Sequence, residues 1–256
     1  MSAPSSQGRV HVEDVPEIAP PESVRLAGTE TARMHALLAA LDADEWRRPT
    51  DCPAWDVRAV AGHVLGMTEG FTSLRRMATG MITATRRAGD GPVVDALTAL
   101  QVEKNSALEV PELLRRMEVA GPAQARWRGR ARLVRPMPSK EEVNGATETW
   151  RMAFILDVIL TRDTWMHRVD VAYATGRDLA PTPEHDGRLV AHVVAEWGRR
   201  HGRPFALHLT GPAGGTFVQG DRSGRGEQIT LDAVEFCRTL SGRAQGQGLL
   251  ATEVPF

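Results

Sequence analysis

The sequence is short of several things, and each shortage excludes something. Only two cysteines, Cys52 and Cys237, occur in 256 residues. They cannot build a disulfide framework or a cysteine-only metal site, and they point to a reducing, cytoplasmic setting. No apolar run reaches the length of about 18 residues that a membrane span needs. Met1 to Pro21 is polar and Pro-rich, without the basic start and apolar middle of a secretory signal. An excess of one charge is missing too: 31 basic and 32 acidic residues leave a net charge of −1. The overall field therefore gives no reason to expect nucleic acid or a membrane as partner. Lysine is almost absent, with Lys104 and Lys140 its only occurrences, which reads as GC-rich coding. There is no internal repeat and no low-complexity segment.

What is present is ordinary for a folded chain. Hydrophobic residues make up 42% and charged residues 25%, and the length suits one or two domains. Residues 1–21 read as a mobile tail. Val24, Ala27, Thr31, Met34, Leu37, Leu38 and Leu41 recur at helical steps. Pro49, Thr50, Asp51 and Pro53 break the chain into a loop. Asp56 then offers an N-cap to a second helix, with Val57, Val60, Val64, Met67, Phe71 and Leu74 on one face and an end near Gly80. A third helix is expected over 93–108 and a short one from Pro111 to Met117. Residues 121–145 read as an irregular connection, and 147–175 as a long helix closed by Gly176. Beyond a boundary near 180, a helix over 184–201 precedes strand-like runs at 205–210, 216–219 and 228–230, a helix at 232–240 and an apolar end. The expected architecture is an all-helical domain over 22–180 and a small α+β domain over 181–256.

Histidine carries the chemical signal. Asp163 and His167 stand four apart on a predicted helix, so they share a face with Leu156, Leu160 and Val171 that turns inward. An inward Asp and His need something to satisfy them, and a divalent metal would do so. His63, flanked by Val60 and Met67, is the best third ligand. Facing helices of a bundle build metal sites in this way. Three protein ligands would leave one position open for water or substrate. Asp170 would accept the other ring proton of His167. The plain alternative is a hydrogen-bonded helix pair. His35, His185, His192, His201 and His208 read as surface or core residues, and His11 lies in the tail.

The stretch Trp46 to His63, with its Pro49-Thr50, Cys52-Pro53-Ala54-Trp55 and Val57-Arg58 steps, resembles the opening of the mycothiol-dependent maleylpyruvate isomerase family, part of the DinB-like metalloenzyme superfamily. Ala54 stands where the family usually has Gly. Arg162 to Asp170 resembles the family's carboxylate–histidine pair, although the founding isomerase has Glu at the position of Asp163. Residues 210–215 and 232–243 resemble its small C-terminal domain, related to sterol-carrier folds. The resemblance implies a mainly α protein: a DinB-like four-helix bundle followed by a sterol-carrier-like α+β domain. It also implies a divalent metal, zinc in the usual case, held by His63, Asp163 and His167, with mycothiol as cosubstrate. The metal would favour a thiolate for attack on an electrophilic small molecule, giving isomerisation or S-transfer. Water in place of thiol would make a hydrolase, and lost chemistry would leave a small-molecule binder. Oligomeric state, monomer or dimer, is not legible.

A polar thiol needs partners. Arg238 and Arg243 are candidates from the C-terminal domain, and Gln101 and Asn105 could line the cavity or a solvated helix face. Cys52 reads as a loop packing residue, and Arg126, Arg128, Arg130, Arg132 and Arg135 as a solvated basic loop around Trp127. Gly211 to Gly215 lacks the Lys-Ser/Thr ending of a phosphate loop and reads as a hairpin turn.

Overall fold

The computed structural model describes residues 8–143, 145–220 and 226–256. The chain divides into two compact units, one of residues 18–179 with Phe256, the other formed by 180–255 together with the N-terminal residues through 17. No helix among the described residues is long and apolar enough to cross a membrane.

The larger unit is helical. Helix α1 (Pro20–Ala39) opens with prolines at its first positions, where a missing N–H costs nothing, and buries Leu26, Ala27, Met34 and Leu38. Helix α2 (Val57–Gly70) is capped by Asp56, whose carboxylate accepts from the Ala59 N–H at 2.7 Å. It stops earlier than its apolar stripe suggests. Ser73 accepts from the Arg76 N–H and starts a separate helix, α3 (Leu74–Ala88). Helix α4 (Val93–Asn105) lies against α2 and α3. Helix α5 (Val110–Arg130) is the main departure from expectation. It begins at Val110, one residue before the expected Pro111, but does not end at Met117; it runs on through Gly121 and Pro122. The expected irregular connection is thus helix as far as Arg130. Gly121 lies so close to α1 that an added Cβ would stand 2.8 Å from Thr31 Oγ1, and packing on α1 holds the backbone helical across the proline.

A two-stranded hairpin follows, β2 (Pro138–Val143) paired antiparallel with β3 (Ala146–Arg151). It replaces the start of the expected long helix. Helical backbone resumes in α6 (Met152–Phe154), passes a π-turn over Ile155–Ile159, and continues as α7 (Leu160–Thr175), closed by Gly176 in the left-handed conformation. Helices α1, α2, α5 and α7 pack on one another as a four-helix bundle, with α3 and α4 beside α2. Two apolar clusters fill it. One gathers Met34, Leu38, Val60, Val64, Leu113, Met117 and Val171; the other gathers Met67, Phe71, Leu156 and Leu160.

The smaller unit holds a mixed four-stranded sheet in the order β1 (Val10–His11), β5 (Gly215–Gln219), β4 (Phe205–Thr210), β6 (Glu227–Asp232). Strand β4 (Phe205–Thr210) alternates buried Phe205, Leu207 and Leu209 with more exposed neighbours. It pairs antiparallel with β5 (Gly215–Gln219) through a tight hairpin and parallel with β6 (Glu227–Asp232). Helices α8 (Arg188–His201) and α9 (Ala233–Leu240) pack on the sheet. The edge strand β1 (Val10–His11) pairs parallel with β5, and Val12 and Val15 are buried. Residues 8–21 thus hold β1, a 3-10 turn over Val12–Asp14 and the start of α1, and bury Val12, Val15 and Ile18, unlike the expected mobile tail; residues 1–7 of that tail lie outside the described residues.

Candidate metal centre

His63 sits mid-way along α2, with Val60 in one apolar cluster and Met67 in the other. Asp163 and His167 sit on α7, where Leu160 and Val171 are divided in the same way. The three polar side chains thus form a layer between two apolar clusters. His63 and His167 are buried, and Asp163 is half-buried.

The distances bear on both readings of this cluster. His63 Nε2 lies 3.4 Å and His167 Nε2 3.6 Å from the same oxygen, Asp163 Oδ1. Both are longer than the roughly 2.7–3.2 Å of a good N–H···O bond. Ligand atoms about 2.0–2.2 Å from a tetrahedral zinc ion stand about 3.3–3.6 Å from one another. The spacing is therefore compatible with a shared ion, and all three candidate ligand atoms lie within 4.8 Å of one another. The donor set fits as well, since two imidazoles and a carboxylate suit a divalent first-row metal. His167 Nδ1 is 3.0 Å from Asp170 Oδ2, an ordinary hydrogen bond, and Asp170 has no exposed surface. That bond turns Nε2 of His167 toward Asp163. His63 Nδ1 is buried with no hydrogen-bond partner among the described residues.

The loop before α2 closes on the same layer. The Trp55 ring lies 5.0 Å from the His63 ring and 5.8 Å from the His167 ring, centre to centre. The loop is pinned: the Thr50 N–H and hydroxyl both donate to Trp55 O, and the Trp55 N–H donates to Cys52 O. Cys52 Sγ stands 3.6 Å from Asp170 Oδ2, the oxygen that also meets His167. Cys52, read as plain loop packing, is thus in contact with the residue that orients a candidate ligand. Trp55 escaped the sequence reading as a site residue, although it ends the Cys-Pro-Ala-Trp stretch that carried the resemblance.

Of the remaining expected site residues, two are on α4 and two are in the smaller unit. Gln101 and Asn105 are buried, so neither is on a solvated face. Asn105 has no exposed surface and cannot line an open cavity; its Nδ2 donates to Gly62 O at 2.8 Å and Gln101 O at 3.0 Å, fastening α4 to α2. Arg238, on α9 of the smaller unit, has Nε 3.2 Å from Glu235 Oε1. Arg243 follows α9, its N–H donating to Arg238 O, and lines a surface cavity of about 420 Å³ with Thr239, Gln245 and Glu253. The basic stretch is helix as far as Arg130, with Arg126, Arg130 and Arg132 exposed as expected and two arginines that are not. Arg128 is buried, and Arg135 pairs with Asp157.

Fold and site together define a helical-bundle protein in which His63, Asp163 and His167 form a group that could hold a metal ion. Residues 27–172 match the sequence family described as the mycothiol maleylpyruvate isomerase N-terminal domain, and the chain belongs to that family. Crystal structures of mycothiol-dependent maleylpyruvate isomerase and of a histidine-to-alanine mutant share the fold. Each has a TM-score of 0.53 at 16% identity, over 92% of this chain and 92% of theirs. Two Mycobacterium tuberculosis proteins, Rv0036c of strain H37Rv and MT0041 of strain CDC 1551, are each 26% identical over 234 residues, 84% of this chain and 82% of their own length.

Proposed function

We propose that the protein is a metal- and thiol-dependent isomerase or S-transferase that uses mycothiol against an electrophilic small molecule. The observation that carries this reading is the placement of His63 Nε2 and His167 Nε2 3.4 and 3.6 Å from one oxygen of Asp163, in a chain of this family. A divalent ion held there, zinc in the usual case, would stabilise the thiolate form of a bound thiol.

The chain's own residues set the conditions for that chemistry. Asp170 accepts from His167 Nδ1 and keeps the Nε2 lone pair turned to the shared point. Trp55 packs beside both rings, with centroids 5.0 and 5.8 Å away. The apolar clusters on either side of the layer lower the local dielectric, which strengthens the hold of Asp163 on a cation. Three protein donors leave room for one exogenous ligand.

The test is a conjugation assay on the metal-loaded full chain with an electrophilic bimane or dinitrobenzene reporter, with and without mycothiol. Turnover that needs both metal and mycothiol is the expected result. Turnover indifferent to mycothiol, or equal in His63→Ala, would overturn the proposal.

A further inference from the structure

Arg128 has an environment that stability alone does not explain. It projects from α5 into the bundle and is 1% exposed. Its hydrogen bonds go to neutral groups: Nη1 donates to Thr161 Oγ1 at 2.7 Å, and Nη2 to Gln124 Oε1 at 3.0 Å. Its Nε is buried with no hydrogen-bond partner among the described residues. Two further arginines of the bundle, Arg162 and Arg168, are buried on α7, and Arg168 meets a carboxylate directly, with Nε 2.6 Å from Glu30 Oε1. A guanidinium removed from water and given only neutral partners is costly. Burial pushes its pKa down to about 9, against the pull of Asp157 and Asp163, so it remains a cation at neutral pH.

Its location ties that charge to the His/Asp/His layer. Thr161 precedes Asp163 by two residues on α7. Gln124 Nε2 is 3.3 Å from Met67 Sδ, and Met67 is one turn past His63 on α2. The guanidinium is therefore held between Gln124, which reaches the α2 segment one turn past His63, and the turn of α7 that carries Asp163. Asp157 is already occupied by Arg135 and by Ser23, whose hydroxyl donates to it at 2.8 Å. Asp163 is the second anion, after Asp157, whose field Arg128 feels. A divalent ion on Asp163 would take up that negative charge and leave Arg128 facing charge of its own sign. An anion at the open position would restore the balance; a neutral molecule would not.

We propose that Arg128 is a positioning residue, a fixed buried charge that makes the His63–Asp163–His167 site prefer an anionic ligand, such as a thiolate, over a neutral one. This rests on the reading of that layer as a divalent-cation site. The charge acts in two opposite directions: it weakens the cation's hold and strengthens the anion's.

Cobalt(II)-loaded full-length protein, followed by its visible absorption, separates these effects. Azide serves as the anionic probe and imidazole, at pH 8, as the neutral one. In Arg128→Met, azide affinity is expected to fall about tenfold while imidazole affinity stays within about twofold, and cobalt itself should bind more tightly in a chelator competition. Arg128→Lys should keep the preference for azide. Gln124→Glu, which sets a carboxylate against the guanidinium without removing it, should repeat the effect of Arg128→Met and covers the case in which that variant does not fold. Azide affinity unchanged in the neutralised variants overturns the proposal, as does a parallel loss of azide, imidazole and cobalt, the signature of a merely structural role. A wild-type protein that binds no cobalt would instead refute the cation site on which the proposal rests.

Discussion

Asp170 accepts from two donors on one oxygen, His167 Nδ1 and the Cys52 thiol. Asp170→Asn keeps the shape but offers an amide, which no longer fixes the imidazole tautomer. Metal affinity is expected to fall about 10- to 100-fold with the fold intact, measured by chelator competition; unchanged affinity would remove Asp170 from the site. That Asp163, His167 and His63 come together was legible in the sequence because a four-residue spacing and an apolar flank survive without coordinates. Trp55 and Cys52 were not. Their contacts come from a loop folded onto α2 and α7, and no periodicity reports that. Arg128 was misread because an arginine among other arginines reads as solvent-facing. Only the true extent of α5 turns it inward.

At the scale of elements, α2 and α4 show how closely backbones approach beside the site. A Cβ on Gly66 would stand 2.6 Å from Gln101 Cβ. Helix propensity alone would make Gly66→Ala stabilising by about 1 kcal/mol. The overlap should win, with a net loss of about 1–3 kcal/mol by denaturant unfolding; a gain in stability would show that α4 can move aside. The same interplay explains which helices were readable. Asp56 and Gly176 are local signals, and the ends of α2 and α7 they mark appear where expected. Pro122 is a local signal too, but packing of Gly121 on Thr31 overrides it. The hairpin β2–β3 was missed because its strands, Pro-Ser-Lys-Glu-Glu-Val and Ala-Thr-Glu-Thr-Trp-Arg, carry little apolar alternation. The strands of the smaller unit were readable because Phe205, Leu207 and Leu209 do alternate.

At the scale of the whole molecule, the helical unit is closed on itself by Glu45 and Arg177, 132 residues apart. Arg177 donates to both carboxylate oxygens of Glu45 at 2.8 and 2.7 Å. Those bonds, with the Asp42 N–H, hold the Glu45 carboxyl down at about 2, below its ordinary 4.5. A carboxyl lowered on folding stabilises the ionised state above the unfolded pKa and loses that contribution as pH falls through the folded one. Glu45→Gln should therefore melt below wild type at pH 7, with the gap narrowing between about 4.5 and 2. A gap that stayed constant across that range would mean that the carboxylate charge is not what joins these segments.

The measurement closest to the central claim is the metal content of purified protein by elemental analysis, wild type beside His167→Ala, with circular dichroism to show that both are folded. One divalent ion per chain in wild type and almost none in the folded variant is the expected result. Full metal content in folded His167→Ala, or none in wild type supplied with zinc, would contradict it.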